Sequence, residues 1–304
     1  MHPIIGTRKR NLSSTTDMHL STHTRPAPLR ALRAIAITVA LAATLGVPAA
    51  ALASSHAAAR PATSPTRWYK PVGAAVNLAA AFNGTTGYLT TPSAPALEPE
   101  HTDAFTAAFW VKLASTNNNP LPRFWEKDAQ YMCLMGDPTN GQYRRIGMEV
   151  QNQTLTGNTN GGATEFWGST RLDLNTWYQV VGTFNGATGQ GLIYIDGRLE
   201  SMRTIYPWPA APNNVLHTTN TQPLMIARRH QDLRYNLDGE IDSFMFWTRA
   251  LSPAEVAATY AGNPPSDMAV RYEFDGDKAP NVPDSSATGA HPGLLMGGAT
   301  LVPR

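Results

Sequence analysis

From residue 76 to residue 247 the chain is a succession of short apolar runs separated by turn-forming segments. The runs are VNLAAAF (76–82), AFTAAFWVKLA (104–114), YMCLMG (131–136), RIGMEVQ (145–151), TWYQVVGTF (176–184), GLIYI (191–195), LMIAR (224–228) and EIDSFMFW (240–247). Between them lie NGTTG, NNNP, GDPTNG, TGNTNGG and NGATGQG, rich in the Gly and Asn residues that reverse a chain. Many short strands at regular spacing with such turns predict an all-β, antiparallel sandwich or barrel. In YIDGRL the pair Asp196-Gly197 has the positive-φ preference of a tight hairpin turn. The pattern becomes helical only after Leu251. Ser252 is placed to cap, Pro253 suits the first helical position and Glu255 completes an S-x-x-E capping box. Val256 and Tyr260 then share a face, and Gly262 and Pro264 end the element. One short α-helix near 252–261 is expected.

The N-terminal region has a different composition. Arg30 and Arg33 precede the apolar run Ala34–Val47, and Ala51-Leu52-Ala53 forms an A-x-A cleavage site before Ser54. Fourteen residues are too few to span a bilayer as a helix, so residues 1–53 read as a secretory signal peptide. Translation from Met18 gives this leader a more ordinary length. Residues 54–70 are small, Pro-containing and aperiodic, which predicts a linker. A single domain is expected over 71–304.

Removing the leader reverses the charge balance. Residues 1–53 hold six basic side chains and one acid, so of 24 basic and 22 acidic residues, 18 and 21 remain. No dense basic stripe follows in the sequence, which argues against nucleic acid as a partner, and no membrane association is expected once the leader is cleaved. The lone Cys133 stands in an apolar run, as a buried thiol does. No G-x-S-x-G, H-E-x-x-H or paired C-x-x-C motif occurs.

Four segments, FNGTTGYLTTP, FTAAFWVKLAS, LNTWYQVVGTFNGATGQGLIYIDGRL and DGEIDSFMFWTRALSPAEVAATYAG, resemble in order the successive motifs of laminin-G-like domains, a branch of the concanavalin A-like lectin/glucanase superfamily. The resemblance covers roughly residues 73–262. It implies a jelly-roll sandwich, a structural calcium at the sandwich edge, and carbohydrate binding or adhesion, with polysaccharide or extracellular protein as partner of a secreted protein. The tail VRYEFDGDKAPNVPDSSATGAHPGLLMGGATLV (270–302) resembles the segment that usually opens such a domain, yet it follows the helix. It is either the start of a second repeat or the missing strands supplied from the other end. Since nothing before Ala75 resembles that segment, the second reading is preferred, with 269–304 completing the sandwich.

Glucanase relatives place two acids on one strand, two residues apart, so that both face one way. Glu240 and Asp242 have this spacing, without the longer acid run of those enzymes. Strict alternation puts both on the face of Phe244 and Phe246, with Ile241, Ser243 and Met245 opposite. A non-catalytic module is therefore the main reading, and a glycoside hydrolase or polysaccharide lyase using Glu240 and Asp242 the alternative. For calcium, which takes six to eight oxygens, the candidates are Asp242, Asp275 and Asp284; Asx-turns are the competing role for such tail aspartates, Asp277 above all. For sugar stacking, core roles for Trp110, Trp177 and Trp247 leave Trp125, Trp167 and Trp208. Trp208 and Tyr206, displayed by the rigid YPWPAAPNN loop, are preferred; covering a sandwich end is the competing role of these aromatics.

Overall fold

The computed structural model describes residues 76–99, 103–116, 121–128, 130–153, 163–204, 215–216, 221–230 and 232–304. The leader, the linker, Tyr206 and Trp208 lie outside them. The strands are β1 (Leu78–Asn83), β2 (Tyr88–Thr91), β3 (Ala104–Leu113), β4 (Arg123–Lys127), β5 (Tyr131–Met135), β6 (Arg145–Gln153), β7 (Ala163–Arg171), β8 (Trp177–Asn185) and β9 (Gln190–Ile195). They continue as β10 (Arg198–Thr204), β11 (Val215–Leu216), β12 (Leu224–Ile226), β13 (Asp238–Trp247), β14 (Val270–Tyr272), β15 (Asn281–Val282), β16 (Gly293–Met296) and β17 (Thr300–Pro303), with one helix, α1 (Pro253–Tyr260), after β13. They form two antiparallel sheets packed as a sandwich. One runs β10-β9-β8-β3-β13-β1-β17, with β14 also on β13; the other runs β11-β6-β5-β4-β12-β2-β16-β15, with β7 also on β6. Among the described residues no helix is long and apolar enough to cross a membrane.

Alternate residues from both sheets fill the space between them. Phe105 is its centre, with Tyr131 at 4.6 Å, Phe184 at 5.8 Å, Phe246 at 5.9 Å and Trp125 edge-on at 6.5 Å. Cys133 is buried there, and burial pushes its thiol pKa up. A second, smaller cluster lies outside the eight-stranded sheet, where Val256 of α1 and Leu251 cover Met245, Trp247, Val181 and Tyr194. The capping box forms as its sequence demands: Glu255 N–H donates to Ser252 Oγ (3.3 Å) and Ser252 N–H to Glu255 Oε2 (2.8 Å). The Asp196-Gly197 turn has φ of 50° and 74°.

The tail supplies strands to both sheets. β17 pairs with β1, β16 with β2 and β14 with β13. Val270, Tyr272 and Phe274 are fully buried, each worth about 1.5–3 kcal/mol by area reasoning. The Tyr272 hydroxyl shares a 2.6 Å hydrogen bond with Thr91 Oγ1 of the other sheet and donates to the His291 carbonyl.

One local irregularity overturns the expected facing of β13. Its register with β3 shifts between Asp242 and Met245, and Ser243 has φ of 50°. The Asp242 carboxylate accepts the Ser243 N–H at 2.6 Å, a side-chain bond suited to an interrupted ladder. Parity therefore switches. Ile241 faces the inter-sheet core with Phe244 and Phe246, whereas Glu240 and Asp242 face outward with Met245 and Trp247.

Candidate ligand-binding face

On the outward side of β13, Glu240 and Asp242 each meet a cation. Lys112 Nζ lies 2.7 Å from Glu240 Oε2, and Arg304 Nη1 pairs with Asp242 Oδ2. Arg304 in turn lies over Trp110 (4.9 Å) and Trp177 (4.6 Å), while Trp110 stacks on Tyr260 of α1 at 5.9 Å. Trp110 is thus buried outside the sheet, not between the sheets. Burial, opposed by Arg304, raises the Asp242 pKa to about 7. Two carboxylates held by basic side chains do not make an acid–nucleophile pair.

The aspartates proposed for calcium are also committed. Asp284 accepts three backbone amides, from Arg271 (3.0 Å), Ser286 (2.9 Å) and His291 (3.0 Å), tying the β14–β16 connection together. Asp275 Oδ1 accepts the Leu78 amide at 2.8 Å and so docks the tail onto β1. Among the described residues no three His, Cys, Asp or Glu side chains converge as a metal site. Asp242, Asp275 and Asp284 each already accept hydrogen bonds from this chain.

Trp125 is 1% exposed in the inter-sheet core, which corrects its assignment as a ligand platform. Trp167 has the opposite fate. It sits on β7 beside Gly147 of β6, and a Cβ built on Gly147 would meet three atoms of its six-membered ring at 2.5, 2.6 and 2.8 Å. Such even approach means the indole lies face down on the glycine, with its opposite face turned away from the sheet. It is half-buried. Only glycine permits so close a seat.

Trp167 stands at one side of a line of outward residues set by strand register. Glu165 of β7 pairs with Glu149 of β6, which faces Met132 of β5, then Glu126 of β4, Met225 of β12, Thr90 of β2 and Leu294 of β16. Glu165 is hydrogen-bonded by Trp167, and its pKa is raised by desolvation and then by the Glu149 charge. Glu149 Oε1 accepts Gln151 Nε2 at 2.9 Å. Glu126 is fully buried: Arg123 Nε donates to Oε2 at 2.9 Å, Arg229 Nε is 3.9 Å from Oε1, and Oε1 accepts no hydrogen bond. Desolvation outweighs the arginines and raises its pKa to about 7. The half-buried Trp167 indole with Glu165 and Gln151 beside it forms a surface able to stack a ring and meet its hydroxyls, whereas Met132, Glu126 and Met225 farther along the row are buried.

Sequence reading named Trp167 as a candidate but passed over Gly147, Glu149, Glu165 and the whole of β4. RFWEK does not alternate, because a register shift between Arg123 and Trp125 turns Phe124 and Trp125 both inward. The available signal was the Arg-x-x-Glu pair bracketing two aromatics, charges that compensate each other when buried.

A laminin G family model, described as the concanavalin A-like lectin/glucanases superfamily, matches residues 83–257. Among solved structures, a Bacteroides ovatus protein described as carbohydrate binding superposes with a TM-score of 0.57 at 17% identity, over 75% of this chain and 60% of its own. A heptameric SAP-like pentraxin of Limulus polyphemus gives 0.50 at 12% identity, over 74% of this chain and 94% of its own. The chain thus spans 60% of the length of the Bacteroides protein, and at these identities the likeness is one of fold. No curated protein matches the sequence.

Proposed function

The chain belongs to the laminin-G-like branch of the concanavalin A-like lectin/glucanase superfamily, and on that premise we propose that it is a secreted, non-catalytic carbohydrate-binding module whose ligand rests on Trp167 at the β7 side of the nine-stranded sheet. The observation that carries this reading is Trp167 lying flat on Gly147 with Glu165, Glu149 and Gln151 around it. A sugar ring stacks on the indole while the acids and the amide accept and donate to its hydroxyls. Export is inferred from the leader before Ser54. The test is a polysaccharide array probed with the purified protein and with Trp167→Ala. Retention of glycans by the former and their loss from the latter supports the assignment; equal binding by both removes Trp167 from the site, and no binding to any glycan removes the function.

A further inference from the structure

One end of the nine-stranded sheet gathers arginines that are scattered in sequence. β4 begins there with Arg123, β6 with Arg145 preceded by Arg144, β7 ends there with Arg171, and β12 ends just before Arg228 and Arg229, with Arg234 following in the same connection. Register places these termini together. Arg145 pairs with Arg171, the Met135 amide donates to Pro122 O, and the Ala227 amide donates to Phe124 O. The chain beyond the leader is slightly acidic, so this concentration is local.

The acids at this end are already used. Asp232 takes Arg234 through two hydrogen bonds from Nε (3.0 Å each) and one from Nη2 (2.6 Å). Asp137 accepts within its own turn, from Thr139 N and Oγ1 and from Asn140 N. Glu126 serves Arg123 and Arg229. Arg144, Arg171 and Arg228 have no carboxylate partner among the described residues. Each is instead laid over a tyrosine: Arg228 over Tyr88 at 4.5 Å, and Arg144 and Arg171 over Tyr143 at 5.4 and 5.6 Å. Tyr235 is similarly approached by Arg123, Arg229 and Arg234 at 5.0, 5.3 and 5.7 Å. Stacking orients a guanidinium through its face; Arg228 gives its Nε to the Arg229 carbonyl (3.2 Å) and Arg144 Nε is buried, so the terminal Nη1/Nη2 pair is the edge that takes a carboxylate in two parallel bonds. Arg144 and Arg228 are half-buried and Arg171 is exposed, so the guanidinium groups are held while part of each side chain still meets solvent.

We propose that this arginine–tyrosine rim reads the carboxylates of an acidic polysaccharide, a polyuronate, as an extension of the face carrying Trp167. The inference rests on the glycan-binding reading above. From β2 to β7 the rim crosses five interstrand gaps, about 24 Å by ordinary strand spacing, the reach of a polymer segment rather than of one sugar. Carboxylates at successive residues then meet arginines standing on successive tyrosines.

The experiment compares polygalacturonate with its fully methyl-esterified form, the same sugar backbone without the charge, by titration calorimetry in EDTA. The protein is expected to bind the acid form at least tenfold more tightly, about the weight of one charge-assisted hydrogen bond, and the preference is expected to shrink as salt is raised. The Arg144→Ala, Arg171→Ala, Arg228→Ala triple variant is expected to lose the preference. Its lysine counterpart keeps the charge but not the fork and should recover only part of it. Equal binding of the two forms overturns the rim while leaving glycan binding intact. Tighter binding of a single-stranded oligonucleotide or of dextran sulfate overturns the carboxylate assignment. Failure to bind any glycan overturns the underlying function and the rim with it.

Discussion

Replacing Arg304 by alanine isolates the energetics of the buried charge on β13. Arg304 and Asp242 are 12% and 2% exposed, so the substitution leaves Asp242 buried without its cation. Removing one partner of a buried pair costs about 3–5 kcal/mol, and the partial exposure of Arg304 argues for the lower end, about 3 kcal/mol at pH 8. For a domain of this size that is a fall in Tm of about 6–12 °C. The sign of the pH dependence is fixed by Asp242, whose folded pKa of about 7 lies above the ordinary value of 3.8. The folded protein therefore holds a proton that the unfolded chain releases, and stability declines as pH rises through that window. Without Arg304 the folded pKa rises further and the decline extends to higher pH. At pH 5.5 Asp242 is protonated in both proteins. The cation–π contacts with Trp110 and Trp177 are then lost, about 1–2 kcal/mol together, with the hydrogen bond to the neutral Asp242 carboxyl, about 1 kcal/mol. Thermal melts at pH 5.5 and 8 measure both values, and adding Asp242→Asn to the variant is expected to recover the pH-dependent part. Equal losses at both pH values, or no recovery with asparagine, would refute the assignment of the cost to a stranded carboxylate.

Gly147→Ala is expected to abolish glycan binding as fully as Trp167→Ala, because the new methyl occupies the seat of the indole. Gly168→Ala, whose Cβ would make only ordinary contacts from 3.6 Å, should bind normally, and array binding of the three variants checks this. Asp284→Ala removes the acceptor of three amides and is expected to cost about 3 kcal/mol. A calcium-dependent rise in Tm that is lost in the variant would identify Asp284 as a ligand, and equal Tm values in calcium and EDTA would leave it an acceptor of amides alone. N-terminal sequencing of exported protein is expected to begin near Ser54, and recovery of the Ala34–Val47 run in that protein would instead indicate an anchored form.

What depends on a few neighbouring residues was legible in the chain. The continuous apolar runs of β3 and β8, the Asp196-Gly197 turn, the capping box of Ser252 and Glu255 and the alternation of Val270, Tyr272 and Phe274 are governed by local sterics and apolar burial. They therefore specify a two-sheet sandwich before any long-range contact is known. What depends on register was not. A single out-of-phase residue at Ser243 turned Glu240 and Asp242 away from the face they were assigned, since strand parity carries no memory past a bulge. Whether Asp284 holds a metal or three amides depended on the path of the chain to His291, and Arg304 met Asp242 only because β17 returns beside β1. Trp167 was identifiable as an aromatic outside the expected core, but its flat seat required Gly147 from a neighbouring strand. The arginines of the rim lie as far apart in sequence as Arg123 and Arg234 and share one end of a sheet because antiparallel strands return their termini to the same edge. Local chemistry chose the strands; their pairing, a sum of contacts between distant segments, decided which side chains meet.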